Sequence, residues 1–220
     1  MSQETKTIIW ISVITIFVVT GGLYFWNKSS SKITDTDTSV VVDRAQVVSG
    51  DSYVKGSIDA KVIVTEFGDY ECPACSAAHP ITKALEEKYK DNTQVAFVFR
   101  NYPLPQHRHA MTSAQFAEAA GLQGKFWEMH DKLYETQKTW APTRNAEEIF
   151  ITYATGLGLD IEKLKLDIKS ETVMSRINAD KAAAVIIGIN STPTFYVNGT
   201  KQSSWDMKIL SASIDAALAE

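Results

Sequence analysis

Hydrophobic and polar positions divide the chain into three regimes. Residues Ile8 to Trp26 read IIWISVITIFVVTGGLYFW, largely apolar, with no charge between Thr7 and Asn27. At a rise of 1.5 Å per residue this stretch makes a helix of about 28 Å, close to the hydrocarbon thickness of a bilayer. Trp10 near one end, and Tyr24, Phe25 and Trp26 at the other, stand where aromatic rings prefer the headgroup level. Asn27 to Ser39 (NKSSSKITDTDTS) is polar with one aliphatic residue, the composition of a flexible tether spanning about 20 Å. Beyond it the hydrophobic period changes from segment to segment, as in a globular domain.

Within that third regime, Val62 to Phe67 is a near-continuous β-branched run, which predicts a buried central strand. Ala78, Ile81, Leu85 and Tyr89 then recur at helical spacing, with Pro80 expected to kink the helix. Val95 to Phe99 predicts a second strand. Strand character stops for about ninety residues, and His109–Leu122, Lys125–Gln137, Ala146–Leu157, Ile161–Lys169 and Glu171–Ile187 all predict helices. Asn145 with Glu148 reads as a capping box, and Asp160 as a cap flanked by a Leu159/Leu164 staple. Thr194 to Val197, Asn198-Gly199 and Thr200 to Gln202 predict a β-hairpin. A last helix carries Met207, Leu210, Ile214 and Leu218 on one face, opened by Ser203-x-x-Asp206. The order suits a small mixed sheet covered by helices, with a helical insertion beside it.

Composition narrows the class. The chain is 45% hydrophobic and 22% charged, which excludes a disordered chain, and its single long apolar run excludes a polytopic membrane protein. A net charge of -4 gives no electrostatic footprint for nucleic acid. The apolar run could be a cleaved signal peptide or a buried core helix. Its length, and its end in Leu-Tyr-Phe-Trp rather than a small-residue cleavage site, favour an uncleaved single transmembrane anchor. The expected organisation is a short tail over 1–7, the anchor over 8–26, a linker over 27–50 and one domain over 51–220. Lys6 before the span against Lys28 and Lys32 after it leaves the orientation to the chemistry.

That chemistry centres on Cys72-Pro73-Ala74-Cys75, the only cysteines. A structural zinc site needs four ligands, and His79, His107, His109 and His130 offer no second pair at suitable spacing, so no metal site is expected. A structural disulfide closing so short a loop is worth only about 2 kcal/mol. A redox role has a mechanism. Cys72 at a helix start meets free N–H groups and the positive end of the macrodipole, which favour thiolate. Cys75, one turn on, is placed to resolve a mixed disulfide formed on Cys72. Attack and resolution require Cys72 outside and Cys75 partly buried. Glu66 is odd in its own right, a carboxylate in a β-branched strand on the face of Val62 and Val64, where a perturbed pKa is expected.

Val64 to Cys75 (VTEFGDYECPAC), His79-Pro80, Phe97 to Leu104 (FVFRNYPL), Gly124 to Asp131 (GKFWEMHD) and Ser191 to Phe195 (STPTF) together resemble the DsbA-like branch of the thioredoxin superfamily. The likeness runs in order from about Asp51 to Glu220. It implies an α/β thioredoxin fold with a helical subdomain inserted at about 104–189. It implies a protein thiol–disulfide oxidoreductase with Cys72 as nucleophile, Cys75 as resolving thiol and Glu66 as the buried acid that relays a proton. Pro193 matches the cis-proline facing the cysteines, and Thr192 the residue whose backbone pairs with extended substrate. The Pro73-Ala74 dipeptide differs from the Pro-His of strongly oxidising members.

The resulting expectation is a membrane-anchored extracytoplasmic oxidase that donates the Cys72–Cys75 disulfide to unfolded or reduced substrate proteins, with no cofactor beyond that disulfide. The resemblance implies reoxidation by a quinone-linked membrane partner of the DsbB or VKOR type. The alternatives are a reductase or isomerase with the same residues, or a non-catalytic thioredoxin-like binding module. Trp127 is expected in the core, and His107 and His109 are expected to be solvated loop histidines.

Overall fold

The computed structural model describes residues 40–49 and 52–220. The expected tail, the expected anchor over 8–26 and most of the expected linker lie outside these residues. Among the described residues no helix is long and apolar enough to cross a membrane. The linker expected to reach residue 50 gives way earlier. Arg44–Val47 is a short helix (α1) closed by an Asp43/Gln46 capping box, and Val41 bridges to Thr200. Arg44 fastens α1 to the domain through the carbonyls of Ile58 and Ala60.

Strands β1 (Tyr53–Lys55), β2 (Val62–Gly68), β3 (Val95–Asn101), β4 (Thr194–Val197) and β5 (Thr200–Lys201) form one sheet in the order β1-β3-β2-β4-β5. β2 and β3 are parallel, and every other pairing is antiparallel. Every residue of β2 and β3 is buried, which is why both read as near-continuous β-branched and aromatic runs rather than alternating ones. Helix α2 (Pro73–Tyr89) joins β2 to β3 and runs without a break through Pro80. Between β3 and β4 the chain makes α3 (Ala110–Gly121), α4 (Phe126–Glu135), α5 (Gln137–Trp140), α6 (Glu147–Gly156), α7 (Ile161–Asp167) and α8 (Glu171–Ile186), and α9 (Met207–Ala219) closes it. This is a thioredoxin-like α/β fold with a helical insertion.

Side-chain alternation along β2 divides the core. Val62 and Val64 pack with Ala78, Leu85, Phe97, Phe195, Leu210 and Ile214 under α2 and α9. Phe67 turns to the opposite face with Val47, Ala184 and Tyr196. The insertion has a larger core of its own, including Phe116, Met129, Leu133, Trp140, Phe150 and Ile177, and that core reaches Tyr70, Cys72 and Cys75. A buried polar network fastens the insertion to the sheet. Arg100 Nε donates to Asp180 at 2.7 Å, Asn101 N donates to the same carboxylate, and Asn101 Nδ2 donates to Glu118 at 2.7 Å.

Local signals at helix ends were partly displaced. Asp160 caps α7 through Lys163 N, as expected, and Leu159 and Leu164 are both buried. Asn145 instead accepts from Glu147 N two residues on, so the Asn145/Glu148 box does not form and α6 begins a residue later. For α9 the cap is Asp206, which accepts from Lys208 N and Ile209 N, rather than Ser203. The hairpin is as the sequence indicates, with Asn198 at φ 46° and Gly199 at φ 85°, the left-handed pair of a tight two-residue turn.

Gly199 also touches the start of the described domain. A Cβ there would stand 2.1 Å from Val42 O, at a φ that side chains rarely adopt. Gly199→Ala should therefore destabilise the protein by on the order of 1–3 kcal/mol, read as a lower urea midpoint at unchanged slope.

Candidate active site

The site grows out of the C-terminal end of β2. There the chain turns through Asp69-Tyr70-Glu71, closed by Cys72 N donating to Asp69 O at 3.0 Å. The Asp69 carboxylate is buried and takes three donors: Glu71 N at 2.8 Å, Leu104 N at 2.9 Å and His107 Nδ1 at 2.7 Å. Its backbone N–H points at Cys75 Sγ, 3.5 Å away. Gln137, buried on α5, donates from one amide group to the carbonyls of Tyr70 and Cys72, both at 2.8 Å. The turn that presents the first cysteine is thus held by groups from two other parts of the chain, the loop of Leu104 and His107 and helix α5.

Cys72 is the N-cap of α2 and Pro73 its first residue, where the missing proline N–H costs no helix bond. Ala74 follows, and its backbone N–H together with that of Cys75 faces the Cys72 sulfur. Both cysteines are free thiols. Cys72 keeps 7% exposure and Cys75 none, so the ranking agrees with the sequence reading although Cys72 is less open than expected.

Their environments push the two thiols apart. Cys72 falls to about 5, chiefly because the Cys75 thiol donates to it, with Thr192 and the Cys75 and Ala74 N–H groups adding to the effect against its own desolvation. Burial drives Cys75 well above the ordinary thiol value, and its donation to Cys72 raises it further. At neutral pH the pair is one thiolate and one thiol.

Thr192 and Pro193 enter from the far side, at the start of β4. The register of β2 on β4 sets Phe67 opposite Thr194, so the chain just before β4 lies beside the chain just after β2. Cys72 Sγ is 3.4 Å from Thr192 O. The Thr192 hydroxyl is buried and otherwise unpartnered among the described residues. The Thr192–Pro193 bond is cis. Pro193, Thr194, Lys201, Gln202 and Trp205 line part of a cavity of about 170 Å³ next to it.

Glu66 lies within β2, between Phe99 on β3 and Phe195 on β4, and is 5% exposed. It faces the α2 side of the sheet, so it is a core carboxylate and not a strand-end group. Burial raises it to about 8, and the only countering contact is the Thr82 hydroxyl, which donates to Oε2 at 3.4 Å. Oε1 has no partner among the described residues. Beside it is a cavity of about 10 Å³, room for a single water, lined by Glu66, Thr82, Glu86, Trp127 and His130 among others. Near neutrality Glu66 holds its proton.

Three parts of the site escaped the sequence reading. His107 and His109 are not free loop histidines. His107 grips Asp69, while His109 is buried, its N–H donating to Glu71 and its Nε2 lying 2.9 Å from Thr143 O. Their place after Pro103-Leu104-Pro105 was the available signal. Gln137 offered none. Trp127 is only partly buried, with the Lys55 ammonium 4.5 Å above its ring.

A cysteine pair at the start of the helix after the central strand, facing a cis-proline before an antiparallel neighbour, defines a thioredoxin-type centre. The chain belongs to the thioredoxin family, whose model matches residues 49–216. Within that family its fold is DsbA-like. It is similar to oxidised BdbD from Bacillus subtilis, at 27% identity and a TM-score of 0.70 over 77% of this chain and 94% of that one. A thioredoxin-like oxidoreductase from Silicibacter pomeroyi gives 27% identity and a TM-score of 0.68, over 81% and 99%. The Na(+)/H(+) antiporter NhaA 1 of Salinispora arenicola is 37% identical over 169 residues, which are 76% of this chain. The chain spans about a quarter of the length of the curated relatives it matches.

Two titrations follow. In the reduced protein, the thiolate absorbance and the alkylation rate of Cys72 should rise with a midpoint near pH 5, while Cys75 stays unreactive into the alkaline range. Because the folded value of Cys72 is depressed, the stability it lends the reduced protein is present above the free thiol's value. It is lost as pH falls through about 5. A midpoint near 9 would remove the thiolate from the site.

Glu66 has the opposite sign. Its folded value is raised, so stability falls as pH climbs from about 4.5 through about 8, where the unfolded chain has released a proton that the fold retains. Glu66→Gln should match the wild type at pH 4 and exceed it at pH 9, by on the order of 2–4 kcal/mol, in denaturant melts of the disulfide form.

Proposed function

We propose that the chain is a protein thiol–disulfide oxidase, held at a membrane by residues 8–26, that passes its Cys72–Cys75 disulfide to reduced substrate proteins outside the cytoplasm. The single observation that carries the direction is the depressed Cys72 thiol. A stabilised thiolate favours the reduced enzyme, so the oxidised enzyme readily gives its disulfide away.

In the reaction, a substrate thiolate attacks Cys72 Sγ of the disulfide, forming a mixed disulfide and releasing Cys75 as a thiolate that takes up a proton. A second substrate thiolate then attacks the substrate sulfur of that mixed disulfide and expels Cys72, a good leaving group because of its acidity. The substrate leaves oxidised and the enzyme reduced by two electrons. Glu66 is the proton donor to Cys75 on release, supported by its raised pKa. Thr192 presents backbone groups to an extended substrate beside Pro193, recognition by main-chain pairing with little side-chain preference. Reoxidation falls to a quinone-linked membrane partner of the DsbB or VKOR type.

An extracytoplasmic site follows from the chemistry, since cytosolic thiol buffers would hold such an enzyme reduced. The reductase or isomerase reading has its own support in Pro73-Ala74, which lacks the histidine of strongly oxidising relatives.

Equilibration of the full chain, in detergent, against glutathione buffers separates the readings. An oxidase should show a potential above about −200 mV, whereas a value near the thioredoxin range of about −270 mV makes the chain a reductase. An export-dependent reporter fused after Glu220 should be active. Activity of a cytoplasm-only reporter at the same position would sink both the topology and the oxidase assignment.

A further inference from the structure

Helices α2 and α4 bring together three side chains that the thiol chemistry leaves unused: His79, His130 and Asp131. One nitrogen or oxygen from each lies within 4.8 Å of the others. His79 is 4% exposed, and its Nε2 has no hydrogen-bond partner among the described residues. It is aimed at Asp131 Oδ1, 3.7 Å away, which is equally buried and unpartnered. That separation is too long for a hydrogen bond. It is close to the ~3.4 Å edge of a tetrahedron with metal–ligand bonds of about 2.1 Å.

The surrounding groups hold this arrangement open. Lys83 Nζ takes Asp131 Oδ2 at 2.6 Å, which turns Oδ1 inward. The Tyr70 hydroxyl is 3.1 Å from His130 Nδ1, a contact that fixes the orientation of the ring. Two partnerless polar atoms facing each other in a buried place are costly unless something sits between them.

We propose that His79, His130 and Asp131 form a binding site for a divalent transition cation, zinc by ligand type, with water completing four-coordination. Two imidazoles and one carboxylate are a ligand set that zinc accepts, and Asp131, with 23% of its side chain exposed, gives the ion a way in. His79 is one turn beyond Cys75 on α2, while the other two ligands sit on α4 of the insertion. A bound ion therefore clamps the cysteine-bearing helix to the insertion. The site does not depend on the direction of electron flow.

The test uses the full chain with its Cys72–Cys75 disulfide formed, so that no thiolate competes for metal. After treatment with a chelator, it is titrated with zinc chloride by calorimetry and with cobalt(II) by visible absorbance. The expected result is one equivalent bound, tetrahedral cobalt bands and a raised melting temperature. Asp131→Asn, nearly isosteric and checked for folding by circular dichroism, should weaken binding at least tenfold, as should His79→Ala. Failure to bind zinc or cobalt up to millimolar concentration would overturn the proposal and leave a bridging water as the occupant. Undiminished binding by both variants would place the metal elsewhere and overturn it equally.

Discussion

The antiparallel pairing of β2 with β4 is the constraint from which the rest of the centre follows. With Phe67 opposite Thr194, the exit from one strand and the approach to the other must lie side by side. Cys72 follows the first strand and Thr192 precedes the second, so sulfur and carbonyl meet at 3.4 Å without any direct link in sequence. The parallel pairing of β2 with β3 buries the strand on its other edge. That burial is why Glu66, in the middle of it, holds its proton. A slip of one residue in either register would send Glu66 to the opposite face and part the cysteine from its neighbour.

Low polarity then acts in opposite senses a few ångströms apart. Cys75 and Glu66 are desolvated with few compensating donors, and both hold their protons. Cys72 is nearly as enclosed, yet it collects donation from a thiol and from the first N–H groups of α2, and it loses its proton. The difference lies in the supply of donors rather than in depth. Asp69, a fully buried carboxyl group, has three donors aimed at it. Its fixed orientation passes through the turn to both cysteines.

Much of this was legible in the residues. The β-branched run of β2, the helical spacing after Cys75 and the Asn198-Gly199 turn each name their element through a short-range rule, and the structure follows them. The cysteine spacing and the misplaced carboxylate at Glu66 named the centre. What stayed hidden depends on contacts across long separations. Arg44–Val47 and Tyr53–Lys55 are too short to show a period, and they exist because Arg44 finds carbonyls at 58 and 60 and because β1 pairs with β3. Gln137 is an ordinary polar residue until the fold sets Tyr70 and Cys72 beneath its amide. His107 and His109 looked solvated because the acids that bind them, Asp69 and Glu71, stand 38 residues earlier in the chain. Local caps at Asn145 and Ser203 lost to neighbouring geometry of comparable energy, the level at which single-residue rules stop deciding.

The insertion between β3 and β4 also imposes an order on biosynthesis. Cys72 and Thr192 are 120 positions apart, and the seven helices α2 to α8 must be synthesised after the first before the second is made. The newborn chain therefore carries its sulfur pair on α2 while one edge of β2 still lacks its neighbour. The help that Cys72 draws from α2 is local and comes early, whereas the Thr192 side of the cleft is the last part to be laid down. With only two cysteines in the whole chain, the half-built centre finds no third sulfur of its own to attack. Growth from the N-terminus thus separates the making of the acidic thiol from the making of the strand entry that faces it.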